Sequence, residues 1–167
     1  MKYERFEQLP VWQAAVTLAE RVYSLTDQRD LARMSELRDQ LRRAALSVSN
    51  NIAEGFERGT TAELLSFLYI ARGSAGETRS MLIFCERLPA CKDLKSQISD
   101  LKSLAESCSR QLRGWADHLQ NSPIAGQRRL TDKARRAWQA DKRADAFLTK
   151  LQQIRDEAER AKGKPRD

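Results

Sequence analysis

The sequence predicts an all-α protein: an antiparallel, up-down-up-down four-helix bundle with an additional basic C-terminal helical extension. Three observations predict it. Apolar residues recur at steps of three and four over four successive stretches, the spacing of one helix face. The chain of 167 residues holds only 7 Gly and 4 Pro, too little punctuation for a many-stranded β fold. Short polar breaks at 26–30, 58–61, 88–93 and 121–126 separate the stretches, as in bundles with short loops.

The first stretch, about 10–25, opens at Pro10, whose missing N–H costs nothing at a helix start. Val11, Ala15, Leu18, Val22 and Leu25 form its stripe, widened by Trp12, Ala19 and Tyr23. The second is expected over 31–57, with Leu37, Leu41, Ala45, Val48, Ile52 and Phe56 on one face. The third begins after Thr60, which with Glu63 has the spacing of a capping box; Leu64, Leu68, Ala71, Ala75, Thr78 and Leu82 face inward. The fourth carries Leu94, Ile98, Leu101, Ala105, Cys108, Leu112, Trp115 and Leu119 in unbroken heptad steps. Two domains follow: the bundle, 1–120, and a basic, helical tail, 121–167.

The stretch "SVSNNIAEGF" (47–56) interrupts the second helix with polar residues and a glycine. On a helical projection from Val48, Gly55 faces the core and Asn51 sits at its border, while Arg43, Leu46, Asn50, Ala53 and Glu54 lie opposite. The third helix shows the same doubling, with Ile70, Met81, Phe84, Leu88 and Glu77 opposite its stripe and Gly73 and Gly76 in its interior. A helix apolar on two sides needs two partners. Both helices are therefore expected to bury surface between subunits, and each glycine to permit a close backbone approach.

Composition excludes several chemistries. Cys85, Cys91 and Cys108 lack C-x-x-C spacing, and one histidine, His118, does not complete a structural zinc site. An odd cysteine count fits a reducing compartment. The opening "MKYERFEQLP" has no apolar run of signal-peptide type, so the expected location is cytoplasmic. Glu54 and Glu77 lack the Glu-x-x-His motifs that complete a di-metal bundle site. Cys108 on the apolar seam reads as a small hydrophobe rather than half of a dyad with His118. No metal, no cofactor and no catalytic residue is expected.

Charge is segregated. Residues 1–120 carry 17 Lys+Arg against 16 Asp+Glu, a net of +1; residues 121–167 carry 13 against 7, a net of +6. Basic pairs at Arg128/Arg129, Arg135/Arg136 and Lys142/Arg143 recur every seven residues, with Lys133 and Trp138 between them. On a helix they line one side, able to neutralise phosphates and stack on a base. One competing reading is a solvated charged helix that packs Phe147, Leu148, Leu151 and Ile154 on a neighbour; another is a membrane-surface helix, but 127–143 has too few large apolar residues for a strong anchor and no membrane partner is expected.

"FEQLPVWQAA" (6–15), "LRRAALSVSNNIAEGF" (41–56) and "FLYIARGSAGE" (67–77) resemble the signature stretches of bacterial four-helix-bundle proteins encoded in intervening sequences of large-subunit ribosomal RNA genes. The resemblance spans about residues 3–120. The same superfamily includes the accessory variability determinant proteins of diversity-generating retroelements. The resemblance implies a homopentameric ring and, on the retroelement branch, binding to a reverse transcriptase and to RNA or DNA. Its signature falls on Arg42, Arg43, Asn51, Ile52, Glu54, Gly55, Phe56, Arg72, Gly73 and Glu77, and brings no catalytic role. The long basic tail departs from many intervening-sequence members and points to nucleic acid. The expected function is thus a non-enzymatic nucleic-acid-binding accessory protein, or else an oligomeric protein-binding scaffold.

Overall fold

The computed structural model describes residues 3–121, 140, 143–150, 152–153 and 155. The chain divides into two compact units, Met1–Arg128 and Arg129–Asp167. Among the described residues every regular element is helical.

In the first unit a 3₁₀ turn, Phe6–Gln8, leads into α1, Pro10–Thr26. A one-turn helix α2, Arg29–Ala32, precedes α3, Ser35–Glu57. Helix α4 spans Thr61–Arg87, a 3₁₀ segment covers Pro89–Leu94, and α5 runs over Lys95–Gln120. The four long helices pack in a cycle: α1 on α3, α3 on α4, α4 on α5, and α5 back on α1. Helices α3 and α4 run antiparallel, since Gln40 bonds Glu77 and Ser47 bonds Ser74. Helices α4 and α5 do likewise, with Glu86 beside Lys102 and Tyr69 beside Gln120.

The expected stripes make the core. Leu18, Val22, Leu41, Val48, Ile52, Leu64, Ala71, Ala75, Leu82, Ile98 and Leu112 are all fully buried. At roughly 1.5–3 kcal/mol for each large aliphatic side chain buried, this stripe chemistry is the main source of stability. The Thr60 hydroxyl accepts from the Glu63 N–H at 3.2 Å and donates to the Glu63 carboxylate at 2.7 Å, a closed cap at the head of α4.

Two expectations change. The second helix starts at Ser35, not at 31, because the chain turns at Met34 (φ −94°, ψ 70°). Leu31 remains fully buried on the short α2, and the Arg38 guanidinium donates to the Ala32 carbonyl at 3.3 Å, capping that turn. Met81 and Leu88 are half-buried against the core rather than on the outer face. Ile70 and Phe84 do lie outside, 51% and 54% exposed.

Candidate functional site

The stretch 47–56 divides into two structural roles. On the α4 side, the Asn51 amide donates to the Ser47 carbonyl at 2.7 Å and to the Ser47 hydroxyl at 2.9 Å. That hydroxyl lies 3.0 Å from the Ser74 hydroxyl, which donates to the Ile70 carbonyl at 3.1 Å. Half-buried polar groups are thus satisfied across the α3/α4 seam, as burial requires. Gly55 makes the closest approach: a Cβ there would lie 2.6 Å from the Phe67 Cβ and 3.3 Å from Leu64 Cδ1.

The outward side is a polar strip. Arg43 donates to the Gln40 side-chain oxygen Oε1 at 2.7 Å, and the Gln40 side-chain amide donates to the Glu77 carboxylate at 2.6 Å. Glu54 instead pairs with Arg58 at 2.5 Å, whose guanidinium lies 5.1 Å from the Phe67 ring centre. Gln40 and Glu54 are separated by fourteen helical residues, about 21 Å of axis. Because Glu77 sits level with Gln40, the two glutamates stand far apart and form no carboxylate pair. Asn50 is exposed, and neither it nor half-buried Arg72 has a hydrogen-bond or ion-pair partner among the described residues.

Arg42 does something the sequence reading missed. It donates to the Thr26 hydroxyl at 2.7 Å, pairs with Asp27 at 2.5 Å, and stacks 4.6 Å from the Tyr23 ring centre. With its side chain only 20% exposed, it ties the end of α1 to α3. Its signal in the sequence was an arginine on the flank of an apolar stripe; its partners lie across a loop.

Beside the polar strip, Leu46, Tyr69, Ile70 and Phe84 are exposed. Gly73 and Gly76 are also exposed, and a Cβ at either would meet nothing within 4 Å. The close approach expected of these two glycines is therefore not made among the described residues of this chain. Between α1 and α3 an open groove of about 390 Å³ is lined by Val16, Ala19, Glu20, Tyr23, Leu46 and Ser49.

No arrangement for catalysis emerges among the described residues. They contain no group of three or more His, Cys, Asp or Glu placed to hold a metal. Cys85, Cys91 and Cys108 are buried free thiols. Burial pushes Cys85 and Cys108 up to about 11 and raises Cys91, the opposite of an activated thiolate. His118 is exposed on α5, ten residues or about 15 Å of helix from buried Cys108, so the two form no dyad. No described helix is long and apolar enough to cross a membrane.

Of the predicted nucleic-acid contacts, Arg143 is described: exposed and helical. Arg128, Arg129, Lys133, Arg135, Arg136, Trp138 and Lys142 lie outside the described residues. Phe147 and Leu148 are exposed in the second unit.

No curated protein matches the chain. The family model of the 23S rRNA-intervening sequence protein matches residues 7–114, the segment that contains all four long helices except the last turns of α5. With well over half of its length matched, the chain belongs to the 23S rRNA-intervening sequence protein family.

Proposed function

We propose that the protein is a non-enzymatic, homo-oligomeric accessory protein that binds RNA or DNA through its basic tail. The observation that carries this reading is the segregation of charge, +1 over residues 1–120 and +6 over residues 121–167. A near-neutral bundle has little long-range attraction for a polyanion, whereas paired arginines at heptad spacing can follow a phosphate backbone.

The bundle's role is assembly. Its polar residues at 47–56 hold α3 to α4, and its outer face presents Ile70, Phe84 and Tyr69 around two open glycines. A second copy covers this face, with Arg43, Asn50 and Glu77 at its polar rim. The family resemblance supports five copies in a ring. It also supports a reverse transcriptase as the protein partner, a narrower reading that co-purification with such an enzyme tests.

The test is full-length protein with Arg128, Arg129, Arg135 and Arg136 all changed to Ala. RNA and DNA affinity should fall while helicity and native mass stay unchanged. Unchanged affinity overturns the role given to the tail. The neutrality of the body and its exposed apolar strip favour a second reading, an oligomeric scaffold that binds protein alone. That reading requires a defined oligomer with no salt-sensitive retention of nucleic acid.

A further inference from the structure

Among the described residues of the bundle, all five exposed large apolar side chains fall on two surfaces. Tyr23 and Leu46, each 41% exposed, line the open groove between α1 and α3. Tyr69, Ile70 and Phe84 stand on the outer side of α4. Helix α4 packs on α3 and α5 and so is diagonal to α1, and one chain cannot fill its own groove with its own α4. The surfaces also differ in shape. The groove is a concave strip of about 390 Å³. The α4 face carries Ile70 beside two glycines where a Cβ would meet nothing within 4 Å among the described residues.

The rims carry opposite charges at matching intervals. Glu20 edges the groove on α1, and Arg43 is exposed on α3. On α4, Glu77 lies on the α3 side, where it accepts from Gln40. Arg72 lies on the α5 side, one heptad before Arg79, which pairs with Glu106 of α5. The Glu20 and Arg72 side chains have no hydrogen-bond or ion-pair partner among the described residues. Arg72 and Glu77 are five residues apart, about 7.5 Å along the axis. Thr26 lies beside Arg42, and the groove brings 16–23 against 46–49, so α1 and α3 run antiparallel. Arg43 is then level with about residue 25, again about 7.5 Å along the axis from Glu20.

We propose that α4 of one copy seats in the α1/α3 groove of the next copy, parallel to its α1. Arg72 then meets Glu20 on one rim, and Glu77 meets Arg43 on the other. The same register sets Leu46 over Gly73 and Tyr23 over Gly76, so large exposed side chains enter the open glycine positions. Ile70 enters the groove at the level of Ala19 and Ser49. Phe84, about 21 Å further along α4, continues the contact toward the α2 turn. One contact covers both apolar surfaces, as surfaces of this kind require. The contact is head-to-tail, since the two surfaces are different parts of the chain. Only closure into a ring leaves no groove and no α4 face uncovered. This inference rests on the homo-oligomeric reading above and names the surface that receives α4.

The test is the native mass of full-length Leu46→Glu, full-length Ile70→Glu and their equimolar mixture, with helicity checked by circular dichroism. Both side chains are exposed, so neither change disturbs the core. Leu46→Glu spoils only the groove and Ile70→Glu only the α4 face. Each variant alone should be monomeric. The mixture should form a dimer with one chain of each kind, joined through the one intact groove and the one intact α4 face, and nothing larger. Two monomeric variants that form no mixed dimer would overturn the head-to-tail contact. A Leu46→Glu protein that keeps the parent mass while Ile70→Glu loses it would overturn the groove as the receiving surface and leave the homo-oligomeric reading standing. A monomeric parent would overturn that reading and this contact with it. Glu20→Arg and Arg72→Glu should each lower the native mass, and the doubly reversed protein should regain it. A double variant as weak as either single one would overturn the register.

Discussion

Gly55→Ala should destabilise the protein, although in an ordinary helix interior the same change stabilises by roughly 1 kcal/mol. The new methyl would lie 2.6 Å from the Phe67 Cβ. Carbon atoms pack best at about 3.5–4.0 Å, so close to 1 Å must be recovered. Cβ is fixed to the backbone, so no rotamer change at Phe67 moves it away. Relief requires α3 and α4 to separate locally, which stretches the Ser47–Ser74 contact and loosens Leu64. Overpacking of this kind costs about 1–3 kcal/mol, and the propensity gain offsets part of it. The net loss should be roughly 1–2 kcal/mol, a fall in melting temperature of several degrees. Urea and thermal unfolding followed by circular dichroism provide the assay. Gly73→Ala and Gly76→Ala are the comparison for packing within one protomer, because a methyl at either meets nothing within 4 Å among the described residues. They should leave the protomer's own fold as stable or more stable, by up to about 1 kcal/mol each. A Gly55→Ala protein as stable as its parent would refute the close-approach argument.

Arg42→Ala should cost about 1–2 kcal/mol in urea unfolding, since it removes charge-assisted bonds linking α1 to α3, discounted for the exposure of Asp27. Ile70→Glu and Phe84→Asp should reduce the native mass in sedimentation while leaving helicity unchanged; an unaltered mass would show that the outer face of α4 is not the interface. Burial pushes the Cys85 and Cys108 thiols up to about 11, from an ordinary value of 9.0. Their neutral forms therefore favour folding below about pH 9, and that contribution is lost as pH rises from 9 through 11. Thiol-reagent titration should accordingly find the native cysteines unreactive at pH 8 and reactive in urea, with urea stability declining over that alkaline window.

The four long helices were legible because each carries an unbroken apolar stripe, and the Thr60 cap because hydroxyl and carboxylate stand three residues apart. Gly55 was legible as a core-facing position, since a helical projection gives direction. A projection shows which way a residue points, not what lies there: a Cβ at Gly55 meets Phe67, whereas one at Gly73 or Gly76 meets nothing within 4 Å among the described residues. The turn at Met34 was hidden because neither Gly nor Pro marks it and no side chain caps the start of α3. Leu31 is buried on either side of such a break, so periodicity ran through it. The Arg42 contacts were hidden for another reason: they join residues fifteen to nineteen apart across a loop, and helical spacing says nothing about such pairs.

The most direct test of the central claim is nucleic-acid binding by fluorescence anisotropy across a salt series, with full-length protein beside a 1–120 truncation. If each of the seven basic residues between 127 and 143 neutralises one phosphate of a single strand, log affinity should fall against log salt with a slope of about −5. The truncation should show little binding and little slope. Equal affinity and equal slope in both proteins, or no binding by full-length protein at low salt, would contradict the account.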